Sequence, residues 1–136
     1  MDYIHLTTSG ELPDATALRP FKTVVIAEDT VTPERQAAIS QWLVASGCLY
    51  MMAWGHDCSS WAESVALANR QAFDTDEIPN ASLVMTTWHA DETLQETFWF
   101  SKHTAMHPCA SLENIVLLHM AEVGREQEMI AAYQDA

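Results

Sequence analysis

Apolar and polar residues alternate along the chain in two distinct patterns. Short segments that are apolar almost throughout are typical of strands buried on both faces of a parallel sheet. They are FKTVVIA (21–27), CLYMMAWG (48–55), ASLVMTTWH (81–89) and LENIVLLHM (112–120). After each of them, apolar residues recur every three or four positions, which is typical of amphipathic helices. These helical segments are 32–47, 59–73, 91–107 and 125–134.

Residues at the starts of the helical segments support this assignment. Thr32 stands where an N-cap is expected, directly before a proline at the first helical position. Ser60 and Glu63, and again Thr93 and Glu96, are spaced as capping boxes, in which two side chains satisfy two backbone N–H groups reciprocally. Three of the helices are therefore predicted to begin at these points.

Strands that alternate with helices predict βαβ units joined by right-handed crossovers. We therefore expect an α/β fold: a small three-layer α/β/α sandwich around a mainly parallel four-stranded sheet. The segment YIHL (3–6) is a candidate for a fifth strand at the edge of the sheet. Residues 1–20 are expected to form an N-terminal arm, and residues 21–136 a single α/β domain.

The composition is that of a folded protein, and it also indicates the cellular compartment. Of 136 residues, 49% are hydrophobic and 18% are charged, which argues against disorder. No segment reaches the roughly 18 apolar residues of a membrane span, and the N-terminus lacks the charged start and apolar centre of a signal peptide. The three cysteines form no CxxC pair, as expected for free thiols in a reducing compartment. We expect a cytoplasmic protein that makes no membrane contact.

The net charge narrows the choice of partners. Nineteen Asp and Glu residues against six Lys and Arg residues give a formal charge of −13. Nucleic acid is not expected as a partner, because binding it rests on a positive footprint that neutralises phosphates. The acidity favours a basic protein partner captured through complementary charge, or it serves solubility alone.

Ligands of parallel α/β sheets bind outside the carboxyl ends of the strands, and here those ends are acidic and rich in imidazole. His89 could act as a general base oriented by Asp91 or Asp29. His56 and Asp57 could join it in catalysis, or the same groups could hold zinc or manganese. Alternatively, the aspartates serve as N-caps and the histidines as buried hydrogen-bonding groups. The same row contains Glu28, Glu92, His119 and Glu122.

A second candidate metal set lies in KHTAMHPC (102–109). His103 and His107 are four residues apart, so on one helix they would face the same way, and Cys109 follows closely. Zinc would need a fourth ligand, such as Cys58 or His56, because no CxxC or HExxH motif anchors the site.

The aromatic residues predict a contact surface. The three successive aromatic residues in TFWF (97–100) cannot all face one core, so at least one of them should be exposed or meet a partner. Exposed apolar patches usually mark contacts, and Trp is frequent at binding hot spots. The predicted partner-binding residues are Trp99, Phe100, Trp88, Glu92 and Glu96.

Missing motifs exclude several functions. With only four glycines, the chain has no GxGxxG, no phosphate loop and no GxSxG elbow. The predicted strand ends carry no Lys or Arg to balance an anionic substrate. Nucleotide cofactors, kinase or phosphatase activity and serine hydrolase chemistry are therefore not expected.

Two resemblances bear on these expectations. VVIAED (24–29) resembles the opening of two-component receiver domains, but VMTTWH (84–89) stands where that family has a phosphorylatable aspartate, and the family's later lysine has no counterpart. The motifs YMMAWGHDCSSW (50–61), VMTTWHADE (84–92) and HPCASLENIVLLH (107–119) look like a family of small bacterial conserved hypothetical proteins. This second resemblance covers most of the chain, implies a bacterial cytoplasmic origin and transfers no catalytic residue.

The sequence thus favours a small acidic interaction protein that covers a basic partner, in the style of an immunity or antitoxin protein, and that needs no cofactor. The alternative is a metal-dependent or His/Asp hydrolase-like enzyme with its site at the carboxyl ends of the strands. A third class, a homodimer or larger homo-oligomer, stays open.

Overall fold

Five parallel strands form one sheet in the computed structural model, which describes residues 1–73 and 77–136. The strands are β1 (Asp2–Leu6), β2 (Phe21–Ala27), β3 (Cys48–Gly55), β4 (Met85–Trp88) and β5 (Asn114–Met120). The helices are α1 (Pro33–Ser46), α2 (Cys58–Gln71), α3 (Leu94–His103) and α4 (Glu126–Asp135). The predicted α/β fold is confirmed, and the candidate edge strand at the N-terminus is the fifth strand of the sheet.

The strand order is β1-β5-β2-β3-β4. From β2 the chain steps outward to β3 and then to β4, whereas β5 returns to the opposite side of β2 and separates it from β1. This reversal makes the carboxyl ends of β2 and β5 the topological switch point, where α/β proteins usually bind ligands.

Helices cover both faces of the sheet. On one face, Leu43 of α1 and Trp61 of α2 pack against the apolar side chains that β2 and β3 direct to that side. On the other face, Phe98 of α3 and Tyr133 of α4 do the same. All seven residues of β2 are buried, because this central strand has a helical layer on each side.

The first strand is fixed to the sheet along its whole length. Its pairing with β5 runs from Asp2 opposite Val116 to Leu6 opposite Met120. The segment that follows lies against α1, since Trp42 donates its indole N–H to the carbonyl of Pro13 at 2.7 Å. The N-terminal segment therefore contributes both a strand and packing to the domain.

Two of the three predicted helix starts are confirmed. The hydroxyl of Thr32 accepts the N–H of Arg35, and Thr93 and Glu96 form a complete capping box. The Ser60–Glu63 capping box is wrong, because α2 begins earlier, at Cys58. The chain turns directly from β3 into α2 through Gly55 and Asp57, which both have positive φ angles, of 101° and 53°.

We predict that Gly55→Ala destabilises the fold by about 2 kcal/mol, because L-residues rarely adopt its backbone conformation. An added Cβ would also collide with the carbonyl oxygen of Ala27. The free energy of unfolding in urea measures the loss. Gly10→Ala is the matched control, because the atom nearest its added Cβ is the hydroxyl oxygen of the exposed Thr7, which can rotate away. Equal losses in the two variants would contradict this account of the turn.

Candidate functional site

A crevice of about 400 Å³ opens at the carboxyl ends of β2, β3 and β4. We call it the carboxyl-edge crevice, and its polar and aromatic lining consists of Glu28, Trp54, His56 and Glu92. A neighbouring crevice, of about 370 Å³, lies on the other side of Glu28 and reaches Arg125. Glu28 therefore stands between two cavities at the topological switch point of the sheet.

A buried histidine holds Glu28 in place. His119 of β5 is fully buried, and its Nε2–H donates to Oε1 of Glu28 at 2.6 Å. Its Nδ1 accepts the hydroxyl of Tyr3 at 2.6 Å, and that hydroxyl oxygen in turn accepts the backbone N–H of Arg125 at 2.9 Å. Because an ionised carboxylate only accepts hydrogen bonds, the ring N–H is assigned to Nε2, which faces Glu28, and in this tautomer the unprotonated Nδ1 accepts the hydroxyl proton of Tyr3.

Arg125 closes this network. Its guanidinium also donates to Oε1 of Glu28, so the same residue contacts both ends of the chain of hydrogen bonds. The network joins β1, β2 and β5 through side chains as well as through the sheet. Burial raises the pKa of the Tyr3 hydroxyl, which keeps this group protonated as a donor.

A second buried histidine holds Glu92. His89 follows β4, and its backbone N–H donates to the carbonyl of Ala53 at 2.9 Å. Its Nδ1 pairs with Oε2 of Glu92, and its Nε2 lies 2.9 Å from the hydroxyl of Thr87. The Phe100 ring packs against the imidazole in an edge-to-face arrangement, at a centroid distance of 4.9 Å. Each carboxylate of the carboxyl-edge crevice is thus oriented by its own imidazole.

Comparison with known protein families assigns the chain to one of them. The model of the domain of unknown function DUF7684 matches residues 1–136.

The chain belongs to the DUF7684 family.

The match covers the whole chain and agrees with the resemblance to an uncharacterised family. Neither the curated proteins nor the solved structures contain a match. The candidate site of this DUF7684 protein therefore has to be argued from its own residues.

The expected partners of His89 are wrong. Neither Asp91 nor Asp29 contacts its ring, because Glu92 folds back onto Nδ1 just before α3 begins, and Thr87 takes Nε2. Asp29 follows β2, where its backbone N–H donates to the carbonyl of Met120. Of the remaining candidates, His56 lines the carboxyl-edge crevice, and Asp57 occupies the N-cap position of α2.

The N-cap interpretation is wrong for Asp29 and Asp91. Thr32 and Thr93 cap α1 and α3, so Asp29 and Asp91 are not caps. Asp57 stands at the N-cap of α2 in the left-handed conformation, and its side chain makes no capping hydrogen bond there. A carboxylate at the positive end of a helix is favoured electrostatically even without such a bond.

The second metal set is not assembled as expected. His103 is the last residue of α3 and packs on Trp99, so it shares no helix face with His107. The ring of His107 is occupied by protein atoms: Nε2 donates to the carbonyl of Leu83 at 2.8 Å, and Nδ1 accepts the N–H of Cys109 at 3.1 Å. Within residues 1–73 and 77–136, no three His, Cys, Asp or Glu side chains are placed to hold one metal ion.

The aromatic segment of α3 divides between core and surface, as expected. Phe98 is fully buried, Phe100 packs against His89, and Trp99 is 53% exposed. Trp88 is also 56% exposed, but it pairs with Ala53, whose side chain faces the α1 and α2 layer. The two exposed indoles therefore lie on opposite sides of the sheet and do not form one surface.

Three of the six cationic side chains are directed at backbone carbonyl oxygens. Lys22 is buried and donates to the carbonyl of Ser101, and Lys102 donates to that of Gln134 at 3.0 Å. Arg35 donates to the carbonyl of Gly10. Burial lowers the pKa of the Lys22 ammonium. These cations secure loops and helix ends.

The cysteines differ in accessibility. All three are free; Cys48 and Cys58 are buried, and Cys109 is exposed. Burial raises the pKa of the Cys48 thiol to about 12, which suppresses the reactive thiolate. The expectation of free thiols is confirmed.

We predict that a thiol-specific disulfide reagent modifies only Cys109 in the native protein and all three cysteines after unfolding in urea. The reason is that the buried thiols are shielded from the reagent and Cys48 is also protonated. Absorbance of the released chromophore counts the reacting groups. The Cys109→Ser variant should show no rapid phase. A rapid phase in that variant would mean that a buried thiol is accessible.

We predict that the free energy of unfolding falls more steeply above pH 10 in the wild type than in Tyr3→Phe. The folded-state pKa of Tyr3 lies above its ordinary value of 10.0, so its stabilising contribution is complete below that pH and is lost as pH rises through the folded-state value. Urea unfolding between pH 8 and 11 gives both curves. Their difference isolates Tyr3 from the other titrating groups, and parallel curves would contradict the assignment.

Proposed function

We propose that this DUF7684 protein is an acidic, cytoplasmic protein-binding module that covers a basic partner protein, in the manner of an immunity or antitoxin protein. The observation that carries this proposal is that three of its six Lys and Arg side chains bind backbone carbonyl oxygens. Lys22, Lys102 and Arg35 donate to carbonyl oxygens, so they are not available to neutralise carboxylates on the surface. The formal charge of −13 already counts every Lys and Arg residue, so the chain has a surplus of negative charge whichever groups these cations contact.

Exposed carboxylates on several elements support the same function. Glu34 of α1, Glu63 of α2 and Glu128 of α4 are exposed. A surface with one sign of charge attracts an oppositely charged protein over long range, increases the association rate and rejects nucleic acid. Binding of this kind needs no cofactor.

The outer face of α3 is the proposed anchor of the interface. Trp99 packs its ring on His103 and leaves half of its surface exposed. A rigid, half-exposed indole can bury a large apolar area when a partner covers it. Glu96 lies one turn away on the same helix and adds a negative charge beside the indole.

An enzymatic function has less support from the geometry. A general base must present a free nitrogen to its substrate, whereas both ring nitrogens of His119 and of His89 contact protein atoms. The exposed His56 is the imidazole of the crevice that such a role would need. Glu28 and Glu92, the carboxylates that the two buried rings orient, then act as fixed negative charges, which is sufficient for binding.

The test is capture of a partner on the immobilised protein at about 50 mM and about 500 mM salt, followed by calorimetry with the purified partner. A basic protein should bind at low salt and be released at high salt. Trp99→Ala should weaken its affinity about tenfold, and Leu67→Ala, which alters an exposed apolar residue on α2, should change it less than about twofold.

Two results would contradict the proposal. The first is a partner whose affinity does not depend on salt, since the charge would then not carry recognition. The second is elution from a sizing column as a homodimer that Trp99→Ala dissociates, because the indole would then be covered by a second copy of the chain.

A further inference from the structure

The carboxyl-edge crevice carries more organised charge than a generally acidic surface requires. Glu28 and Glu92 line it from segments that follow different strands, and each has one oxygen bound by a buried imidazole. Side chains that merely confer solubility need no such support. Buried partners behind a half-exposed carboxylate fix its direction and so lower the cost of ordering it when a ligand binds.

We propose that the carboxyl-edge crevice is a socket for a single cationic group, the guanidinium or ammonium group of an Arg or Lys side chain of the partner. This inference rests on the proposed function and specifies which part of the basic partner is recognised at this site.

The chain itself illustrates the required contact. Arg125 approaches from the neighbouring crevice and places its guanidinium on Oε1 of Glu28. The carboxylate is thus positioned to accept a guanidinium at the protein surface. Glu28 also lines the carboxyl-edge crevice, so a second cation can approach from that side.

The remaining lining suits an organic cation. No Lys or Arg lines the crevice, and Trp54 forms one wall. The indole N–H of Trp54 donates to the carbonyl of Glu92 at 2.8 Å, which fixes the ring. Aromatic faces attract guanidinium and ammonium groups, and a cavity of about 400 Å³ is within the size range of small-ligand sites.

A metal ion is the less suitable cation. In the described part of the chain, no three His, Cys, Asp or Glu side chains converge closely enough to coordinate one ion, even though Glu28, Glu92 and His56 line the same crevice. Charges spread around a cavity match a planar guanidinium or an ammonium on a flexible stem better than a point ion.

The direct test is a titration of the ¹⁵N-labelled protein at pH 8 with Nα-acetyl-arginine amide and with its neutral isostere Nα-acetyl-citrulline amide. Trp54 reports on the crevice through its indole N–H, and Trp99 reports on α3. The arginine probe should shift the Trp54 signal and leave Trp99 unchanged, and the citrulline probe should shift neither.

Matched variants separate a specific socket from general acidity. Glu28→Gln and Glu92→Gln keep the acceptors for His119 and His89 but remove the charges, and each should weaken the arginine probe about tenfold. Glu34→Gln and Glu63→Gln remove the same charge from α1 and α2 and should weaken it less than about twofold. Indole spectra without the probe verify that each variant is folded.

Equal effects of the four variants, or equal shifts with the two probes, would overturn the socket. The partner experiment keeps this failure distinct from failure of the proposed function. A basic partner that binds in a salt-sensitive way but tolerates Glu28→Gln and Glu92→Gln removes the socket alone. A selective Trp54 shift with the arginine probe in the absence of any basic partner removes the protein partner and identifies a site for a small guanidinium compound.

Discussion

The imidazole of His119 has no exposed surface, so both of its nitrogens must find partners inside the protein. Those partners are the hydroxyl of Tyr3 on β1 and the carboxylate of Glu28 after β2. One buried ring thereby links the N-terminal strand to the switch point of the sheet. The direction of Glu28, and with it the boundary between the two crevices, depends on this ring.

The same principle recurs at the end of β4, where the buried ring of His89 orients Glu92. In both cases the titratable ring lies behind the carboxylate and not beside a substrate cavity. The carboxyl edge therefore presents oriented negative charge to the solvent and keeps His89 and His119 in the interior, whereas His56 lies exposed in the carboxyl-edge crevice. Lys22 is also directed inward. It donates to the carbonyl oxygen of Ser101 near the end of α3, so its charge stabilises the fold and does not lie on the surface.

The repeating pattern of apolar segments was sufficient to predict the fold, because strands buried on both faces differ clearly from amphipathic helices. The row of residues at the carboxyl ends was predictable for the same reason. The pairing within that row was not, because the sequence named Asp91 or Asp29 as the partner of His89, whereas the chain before α3 folds so that Glu92 meets the ring. The hydrogen bond between Tyr3 and His119 could not be predicted from the sequence, because it depends on β5 lying between β1 and β2.

The two edge strands of the sheet are short: β1 has five residues and β4 has four. A short edge offers few unpaired backbone groups, and natural sheets use this device to discourage a further strand from another molecule. Association by strand addition is therefore disfavoured at both borders of the sheet. A contact with another molecule would then be made by side chains, which can change by substitution without a change in the backbone of the sheet.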